Sequence, residues 1–456
     1  MTTPSGTPVT AVPGLAAPAA RARAGALTAY ATGSLGMGVW VTVPGLLLLY
    51  FLTNTLGVSS AVAGVTLLLP RIVDTLVHPL LGSLSDRQAR GSGHRRGMLR
   101  WGLLLAVAMV ATFTVPAGWT GLPAALWVGC WFAAGNLLFA AFQVPYLTTP
   151  SDLRIGYHER TRVFMVRMLF LTLGLLGSGV AAPALVRDGG RTGYARMALL
   201  LAGAMVVCGL VAIAGVRRLT AQCGFGVPDR RPTTAFGDIR AAWRDRDFRA
   251  LALSYLLTGT TTHLFLAALP FYTAYVLRDA GLTAVLMGGF LAPAVLAGPG
   301  WMLLSRRIGK QRGLLIAQGV FTAGSPALLI GRTLGTAVTL VVVVVLGCAF
   351  AGLQLLAFSM VPDAVAAAET RGSGLAGAYT GVWTATDAAG TAIGPYIYSA
   401  VLAVGGFVST SEGHTVAQPD GALTALLWGF TVLPAVLMAG AVAVQLRCRL
   451  DRRAAR

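Results

Sequence analysis

The sequence has 456 residues, of which 55% are hydrophobic and 11% charged, and its formal net charge is +19. Since a soluble protein carries about 25% charged residues, this composition excludes an ordinary soluble globular chain. Apolar stretches of about 20 residues, each long enough to cross a bilayer, recur along the whole sequence. These features predict an all-α integral membrane protein that is surrounded by lipid.

Residues 1–25 are rich in Pro, Thr and Ala and lack an apolar core, so they predict a flexible tail rather than a cleaved signal peptide. Twelve membrane-spanning helices are predicted after this tail. They cover residues 26–54, 58–85, 98–117, 121–147, 160–186, 195–216, 248–277, 283–304, 313–332, 337–362, 374–406 and 422–446.

The longest polar segment between the first and last spans, residues 217–247, divides these spans six and six. It separates an N-terminal six-helix bundle, residues 26–216, from a C-terminal six-helix bundle, residues 248–447. Residues 448–456 form a second tail, which is basic.

The distribution of basic residues predicts the orientation in the membrane. With the N-terminus inside, 28 of the 35 Lys and Arg residues are cytoplasmic, five are outside and two lie within spans. Loops rich in Lys and Arg stay on the cytoplasmic side of a membrane, so both termini are predicted to lie in the cytoplasm. The chain is predicted to lie in the cytoplasmic cell membrane. The charge therefore requires no nucleic-acid partner, and contact with anionic lipid accompanies it.

The five cysteines fit this arrangement, because three lie within spans and two on the cytoplasmic side. None is left outside to form a disulfide, and no pair has the spacing of metal ligands. No metal site and no cofactor are expected.

The two halves contain matching segments. After the second span comes SDRQARGSGHRRG (Ser85–Gly97), and after the eighth comes SRRIGKQRG (Ser305–Gly313). A second matching pair follows the fourth and tenth spans. Internal symmetry of this kind is typical of transporters built from two repeated bundles, with the binding site between them near the midplane.

Several stretches resemble a known family. Residues 82–96, with Gly82, Asp86 and the Arg95-Arg96 pair, resemble the signature between the second and third helices of the major facilitator superfamily. Within that superfamily, residues 71–87, 144–170 and 359–390 resemble the glycoside–pentoside–hexuronide:cation symporters. The resemblance implies a monomeric secondary transporter that moves a small organic solute by alternating access.

One helical face of the second span carries Arg71, Asp74 and His78. Asp74 lies twelve residues from Asp86, or about 18 Å along the helix, near the bilayer centre. Placing a charged side chain there costs a free energy on the order of 3 kcal/mol or more. One interpretation is that Arg71 and Asp74 neutralise each other. The other is that Asp74 binds the coupling cation or proton while Arg71 and His78 adjust its proton affinity.

The resemblance bears on the identity of the cation. Asp74 matches the family's first cation-site carboxylate, but His78 stands where the second is found. Val77 replaces a polar neighbour, and Phe139 occupies the position of a hydroxyl ligand. Because sodium requires several hard oxygen ligands, proton coupling, or no cation coupling, is favoured over sodium.

The sugar contacts that the resemblance implies are also altered. Gly38 and Phe142 replace acidic sugar ligands, Tyr146 replaces a tryptophan platform, and Arg167 matches the family's arginine. These changes argue against a melibiose-like disaccharide and suit a less polar substrate.

Four further residues complete the predicted substrate cavity. Asp387 and Trp383 lie in the eleventh span, His263 in the seventh and Asn136 in the fourth. Asp387 has no basic neighbour on its own helical face, so it needs a partner on another helix or stays protonated. For His263 and Asn136, contacts that hold helices together are the simpler interpretation.

A cytoplasmic gate made of ion pairs that change with conformation is also predicted, with a solvated basic loop as the alternative. Its members are Gly82, Asp86, Arg87, Arg95, Arg96, Asp363 and Arg371.

Other functions remain as alternatives. A proton-coupled exporter of a less polar metabolite is compatible with the same residues. A membrane-embedded transferase would need clustered carboxylates for Mg²⁺ and pyrophosphate, and the sequence contains no such cluster. A receptor is a third class, but no signalling domain is present. The chain is therefore not expected to be an enzyme.

Overall fold

The computed structural model describes residues 21–92, 95–186, 190–225, 243–369, 376–412 and 416–448. These residues are almost entirely helical, and the extended segments among them make isolated β-bridges rather than a sheet. The helices form two bundles, which confirms the predicted fold class. The N-terminal bundle contains α1 to α7, and the C-terminal bundle contains α8 to α13.

The helices of the N-terminal bundle are α1 (Ala24–Asn54), α2 (Ser60–Ser92), α3 (Arg96–Trp101), α4 (Leu105–Phe113), α5 (Gly121–Asp152), α6 (Tyr157–Leu185) and α7 (Gly190–Cys223). A 3₁₀ turn, Gly102–Leu104, separates α3 from α4. The third predicted span is therefore interrupted near its start, whereas α5 to α7 correspond to the fourth to sixth spans.

The helices of the C-terminal bundle are α8 (Arg246–Phe271), α9 (Leu282–Ile308), α10 (Lys310–Leu334), α11 (Thr336–Glu369), α12 (Ala376–Val404) and α13 (Asp420–Gln445). A π-helical turn, Tyr272–Val276, extends α8. These helices correspond to the seventh to twelfth predicted spans.

Nine of the described helices are long and apolar enough to cross a membrane, namely α1, α5 to α11 and α13. The other three predicted spans coincide with α2, with the α3–α4 segment and with α12. α2 contains the charged stripe, and α12 contains Trp383 and Asp387. Their lengths, 33 and 29 residues, still match those of the neighbouring helices.

Glycines allow two helix pairs to approach backbone to backbone. A Cβ on Gly38 of α1 would lie 2.7 Å from the carbonyl carbon of Gly174 on α6. A Cβ on Gly394 of α12 would lie 2.6 Å from the amide nitrogen of Leu264 on α8. Small residues at such crossings are usual in membrane helix packing. One crossing joins the first and fifth membrane spans, and the other joins the seventh and eleventh. These two pairs of spans are equivalent by the internal repeat.

Backbone hydrogen bonds join the two bundles at one end. The segment after α1 pairs antiparallel with the segment after α12, through a bridge between Leu56 and Ser411. Two hydrogen bonds, 3.0 and 3.2 Å long, flank this bridge: Gly57 N donates to Thr410 O, and Glu412 N donates to Thr55 O. We call the surface formed by residues 53–60 and 396–412 the closed end.

Side chains reinforce the closed end. The hydroxyl of Tyr275, in the C-terminal bundle, donates to Asn54 Oδ1 of α1. The backbone amide of Arg191 donates to Glu412 Oε1 at 3.1 Å, and its guanidinium Nε lies 3.7 Å from Glu412 Oε2. The segments after α1 and after α12 and the start of α7 therefore meet at a junction between the bundles.

Candidate functional site

The charged stripe lies near the middle of α2. Asp74 is buried, with an exposed fraction of 4%. The guanidinium of Arg71 lies 5.4 Å from the ring centroid of Phe132, on α5. Arg71 interacts electrostatically with Asp74 of its own helix and with Asp387 of α12. Arg71 therefore lies within electrostatic range of a carboxylate of the other bundle.

The C-terminal bundle contributes two groups to the same region. His263 of α8 places its Nδ1 2.9 Å from the carbonyl oxygen of Gly259, one turn earlier. His263 also interacts electrostatically with both Asp387 and Arg71. Electrostatic interactions thus link Arg71, Asp74, His263 and Asp387 across the two bundles, and we call these four residues the central polar cluster.

The sequence predicts that Asp387 either has a partner on another helix or stays protonated. The structure shows such a partner. The hydroxyl of Tyr255, on α8, donates to Asp387 Oδ1 at 2.7 Å. The same hydroxyl lies 3.3 Å from Gln354 Oε1 on α11. Three helices of the C-terminal bundle therefore meet at the Tyr255 hydroxyl.

Aromatic rings surround this hydrogen-bonded group. The rings of Tyr255 and Trp383 stack with their centroids 4.2 Å apart. The ring of Phe358, on α11, makes T-shaped contacts with both, at centroid distances of 5.6 and 5.5 Å. We call Tyr255, Gln354, Phe358, Trp383 and Asp387 the C-bundle cluster. Sequence reasoning identified Trp383 and Asp387 but missed the other three.

The cavity residues predicted in the N-terminal bundle are mostly covered by one another. Tyr146 is fully buried and stacks with Tyr30 at 4.6 Å and with Phe142 at 5.3 Å. Its hydroxyl donates to Tyr30 O at 2.9 Å and lies 2.9 Å from Ser34 Oγ. In this conformation the Tyr146 ring is not open to a ligand.

Arg167, the second arginine within a span, lies beside these tyrosines. It is buried, with an exposed fraction of 8%, and interacts electrostatically with Tyr30 and Tyr146. Its guanidinium carbon lies 5.0 Å from the ring centroid of Phe164, one turn earlier on α6. The remaining predicted residue, Asn136, is buried and accepts a 3.3 Å hydrogen bond from Trp40 Nε1, which joins α1 to α5.

Two predicted gate residues make ion pairs within their own bundles. Arg95 Nε lies 2.6 Å from Asp152 Oδ2, and its Nη1 donates to Ser85 Oγ at 2.8 Å. Lys310 Nζ lies 2.6 Å from Asp363 Oδ2. Each pair joins the segment after the second helix of a bundle to the end of its fourth helix, so the two pairs are equivalent by the internal repeat.

The other predicted gate and stripe residues are described less completely. Arg87 is exposed on α2. Arg371 lies outside the described residues, as do the side chains of His78, Gly82, Asp86 and Arg96. Among the described residues, no group of three His, Cys, Asp or Glu side chains is arranged to hold a metal ion.

Comparisons with known proteins agree with this architecture. The model of a family described as MFS/sugar transport protein matches residues 29–452. The chain is 27% identical over 409 residues to an isoprimeverose transporter from Lactiplantibacillus pentosus, a match that covers 85% of this chain and 81% of that one. It is 26% identical over 428 residues to YagG of Escherichia coli (strain K12), covering 90% and 88%. The assignment of YagG as a glycoside/cation symporter is provisional.

Solved structures share the fold at low sequence identity. A bacterial homologue of the human lysosomal transporter Spinster, in an inward-facing and unoccupied conformation, superposes with a TM-score of 0.68 and 14% identity. That match covers 94% of this chain and 97% of the homologue.

Proposed function

The chain belongs to the MFS/sugar transport protein family, and from this membership we propose that it carries a sugar across the cell membrane together with a proton. Membership makes it a multi-pass membrane transporter of a small molecule rather than an enzyme. The proposal of a sugar is supported by relatives named for isoprimeverose and for glycosides. We propose that residues 26–216 and 248–447 act as its two moving bundles within one monomer.

The central polar cluster is the observation that carries the proposed coupling. Asp74 is buried near the middle of α2, where an ionisable group is costly unless it has partners or a watery cavity. Its neighbour Arg71 interacts with carboxylates of both bundles. Because the bundles move relative to each other during alternating access, the surroundings of Asp74 change with each cycle. Such a change is what allows a site to bind a proton on one side and release it on the other.

The proposal of a proton rather than sodium is supported by the residues at the positions where the resemblance places the cation site. Sodium needs several oxygen ligands, whereas Val77 and the buried Phe139 supply none. We expect purified protein in liposomes to accumulate isoprimeverose when a pH gradient is imposed and to ignore a sodium gradient. Initial uptake rates under each gradient, at equal membrane potential, provide the measurement.

The same assay uses a sugar panel of isoprimeverose, D-xylose, D-glucose and methyl glucuronide. The glucuronide is included because Arg167 offers a buried cation beside the predicted cavity. Empty liposomes serve as the control for leakage. Uptake that requires sodium, or that collapses when sodium is omitted, would contradict proton coupling.

We also propose an orientation, in which both termini are cytoplasmic and the closed end faces the outside of the cytoplasmic membrane. The support is the 28-to-5 distribution of Lys and Arg between the two predicted sides. A green fluorescent protein fused to either terminus should fluoresce, and alkaline phosphatase fused after Glu412 should be active. Phosphatase activity at either terminus would contradict the orientation.

A further inference from the structure

We propose that the C-bundle cluster is the main sugar-recognition site of this transporter. In this proposal Phe358 contacts the ring of a pyranose, while Gln354 and Asp387 bind its hydroxyl groups. Tyr255 and Trp383 lie behind them and hold them in position. The inference rests on the proposed function, since it names the residues that recognise the sugar the chain is proposed to carry.

The ring of Phe358 lies on the side of α11 that meets α8 and α12, where it contacts Tyr255 and Trp383. Phe358 and Gln354 are one helical turn apart on α11, so they share a face. The ring is 47% exposed, so part of its surface is open to a ligand beside these two helices.

The polar groups beside this ring suit hydroxyl ligands. Asp387 is partly exposed, and its Oδ1 is held by the 2.7 Å hydrogen bond from Tyr255. Gln354, also partly exposed, brings an amide that can both donate and accept. Behind them, Trp383 Nε1 is buried without a hydrogen-bond partner in the part of the chain that the structure describes. A buried donor of this kind is costly unless a ligand or a rearrangement satisfies it.

This combination favours a sugar over an apolar solute. A pyranose has an apolar face of C–H groups, which an aromatic ring can cover, and a rim of hydroxyls, which must regain hydrogen bonds after leaving water. Phe358 supplies the first contact, and the Gln354 amide and Asp387 carboxylate supply the second. An apolar metabolite would cover the remaining hydrogen-bonding positions of this amide and carboxylate without bonding to them, which costs binding free energy.

The N-terminal bundle offers less at the corresponding positions. Gly38 packs against the backbone of Gly174, so no side chain fits there. Phe142 and Tyr146 are buried against each other, and the Tyr146 hydroxyl is already bonded to α1. The C-bundle cluster, by contrast, has two partly exposed polar side chains, Gln354 and Asp387, in the same group as the exposed ring of Phe358.

Equilibrium binding to purified protein in detergent tests the site, because binding does not require coupling. The sugar panel is titrated against the wild type and against Phe358→Leu, Gln354→Ala and Phe358→Tyr. We expect Phe358→Leu and Gln354→Ala each to weaken binding about tenfold, as the loss of one good contact does. Phe358→Tyr keeps the ring and should bind within about twofold of the wild type.

Phe350→Leu is the matched control, because Phe350 lies on the same helix but packs against Phe290, with ring centroids 5.1 Å apart. It should leave the affinity unchanged. Thermal unfolding of each variant checks that it is folded. Unchanged affinity in folded Phe358→Leu and Gln354→Ala, or no binding of any panel sugar to the wild type, would overturn the proposal. Transport driven by sodium, with binding still weakened in Phe358→Leu, would instead reject proton coupling and retain this site.

Discussion

Leu56→Cys combined with Ser411→Cys is expected to form a disulfide that stops transport, and a reductant is expected to restore it. These residues form the bridge that joins the two bundles at the closed end. A transporter that works by alternating access must separate the bundles at each end in turn. A covalent link across the bridge holds one end shut, so net uptake in liposomes should fall to the level of empty liposomes.

The backbone geometry suits such a link. The two hydrogen bonds lie on either side of the Leu56–Ser411 pair, so this is a non-hydrogen-bonded antiparallel pair. The Cα atoms in pairs of this type are about 4.5 Å apart, within the range that disulfides span. A Cβ placed on the adjacent Gly57 would lie 3.6 Å from Ser411 Cβ, which shows how closely the segments approach.

Each single cysteine variant serves as a control and should transport with or without oxidant. A protease site inserted between the bundles shows whether the halves remain linked on a non-reducing gel. The native cysteines that are not buried, Cys130, Cys208 and Cys348, are replaced by Ala beforehand. Full transport in a protein whose halves are linked would mean that the closed end does not open during the cycle.

The sequence was sufficient to predict the positions of the spans, because hydropathy is a property of each local stretch of residues. Each predicted span coincides with a helical segment, and the bounds differ by a few residues at most ends. The break at Gly102–Leu104 was missed because its residues are as apolar as their neighbours. Nothing in the composition of that span indicates where its helix changes register.

The C-bundle cluster was missed for a different reason. Tyr255, Gln354 and Asp387 lie on three helices, and their meeting depends on the rotation and depth of each helix. Helical periodicity shows which residues share a face, but it does not show which faces meet. One signal was available, since Gln354 and Phe358 are spaced one turn apart in an otherwise apolar span.

The gate prediction illustrates the same limit. Arg95 and Asp363 were chosen from repeated motifs, but their partners, Asp152 and Lys310, were not. Both partners lie at matching places in the two halves, so the internal repeat contained the signal. These pairs join helices within one bundle, and each can keep its bundle rigid while the bundles move.

Asp74→Asn is expected to fold and to bind sugar, yet to lose accumulation driven by a pH gradient. If Asp74 only neutralised Arg71, its loss would leave a buried cation, at a cost of about 3–5 kcal/mol. The structure supplies a second carboxylate, because Arg71 also interacts with Asp387 of α12. The loss of stability in this variant should therefore be smaller than the loss caused by breaking an isolated ion pair. Asparagine also preserves the shape of the side chain.

The transport defect should not depend on the ion pair. An asparagine cannot take up and release a proton, so uptake should stop at equal concentrations inside and outside, while exchange of labelled for unlabelled sugar continues. The double variant Arg71→Ala, Asp74→Asn is the matched test, because it removes the cation as well. Both proteins are measured for thermal stability, sugar affinity and pH-driven accumulation. A folded double variant that still concentrates sugar would mean that Arg71 and Asp74 form only an internal salt bridge. His78, Asp387 and His263 would then be the positions to test next for the coupling proton.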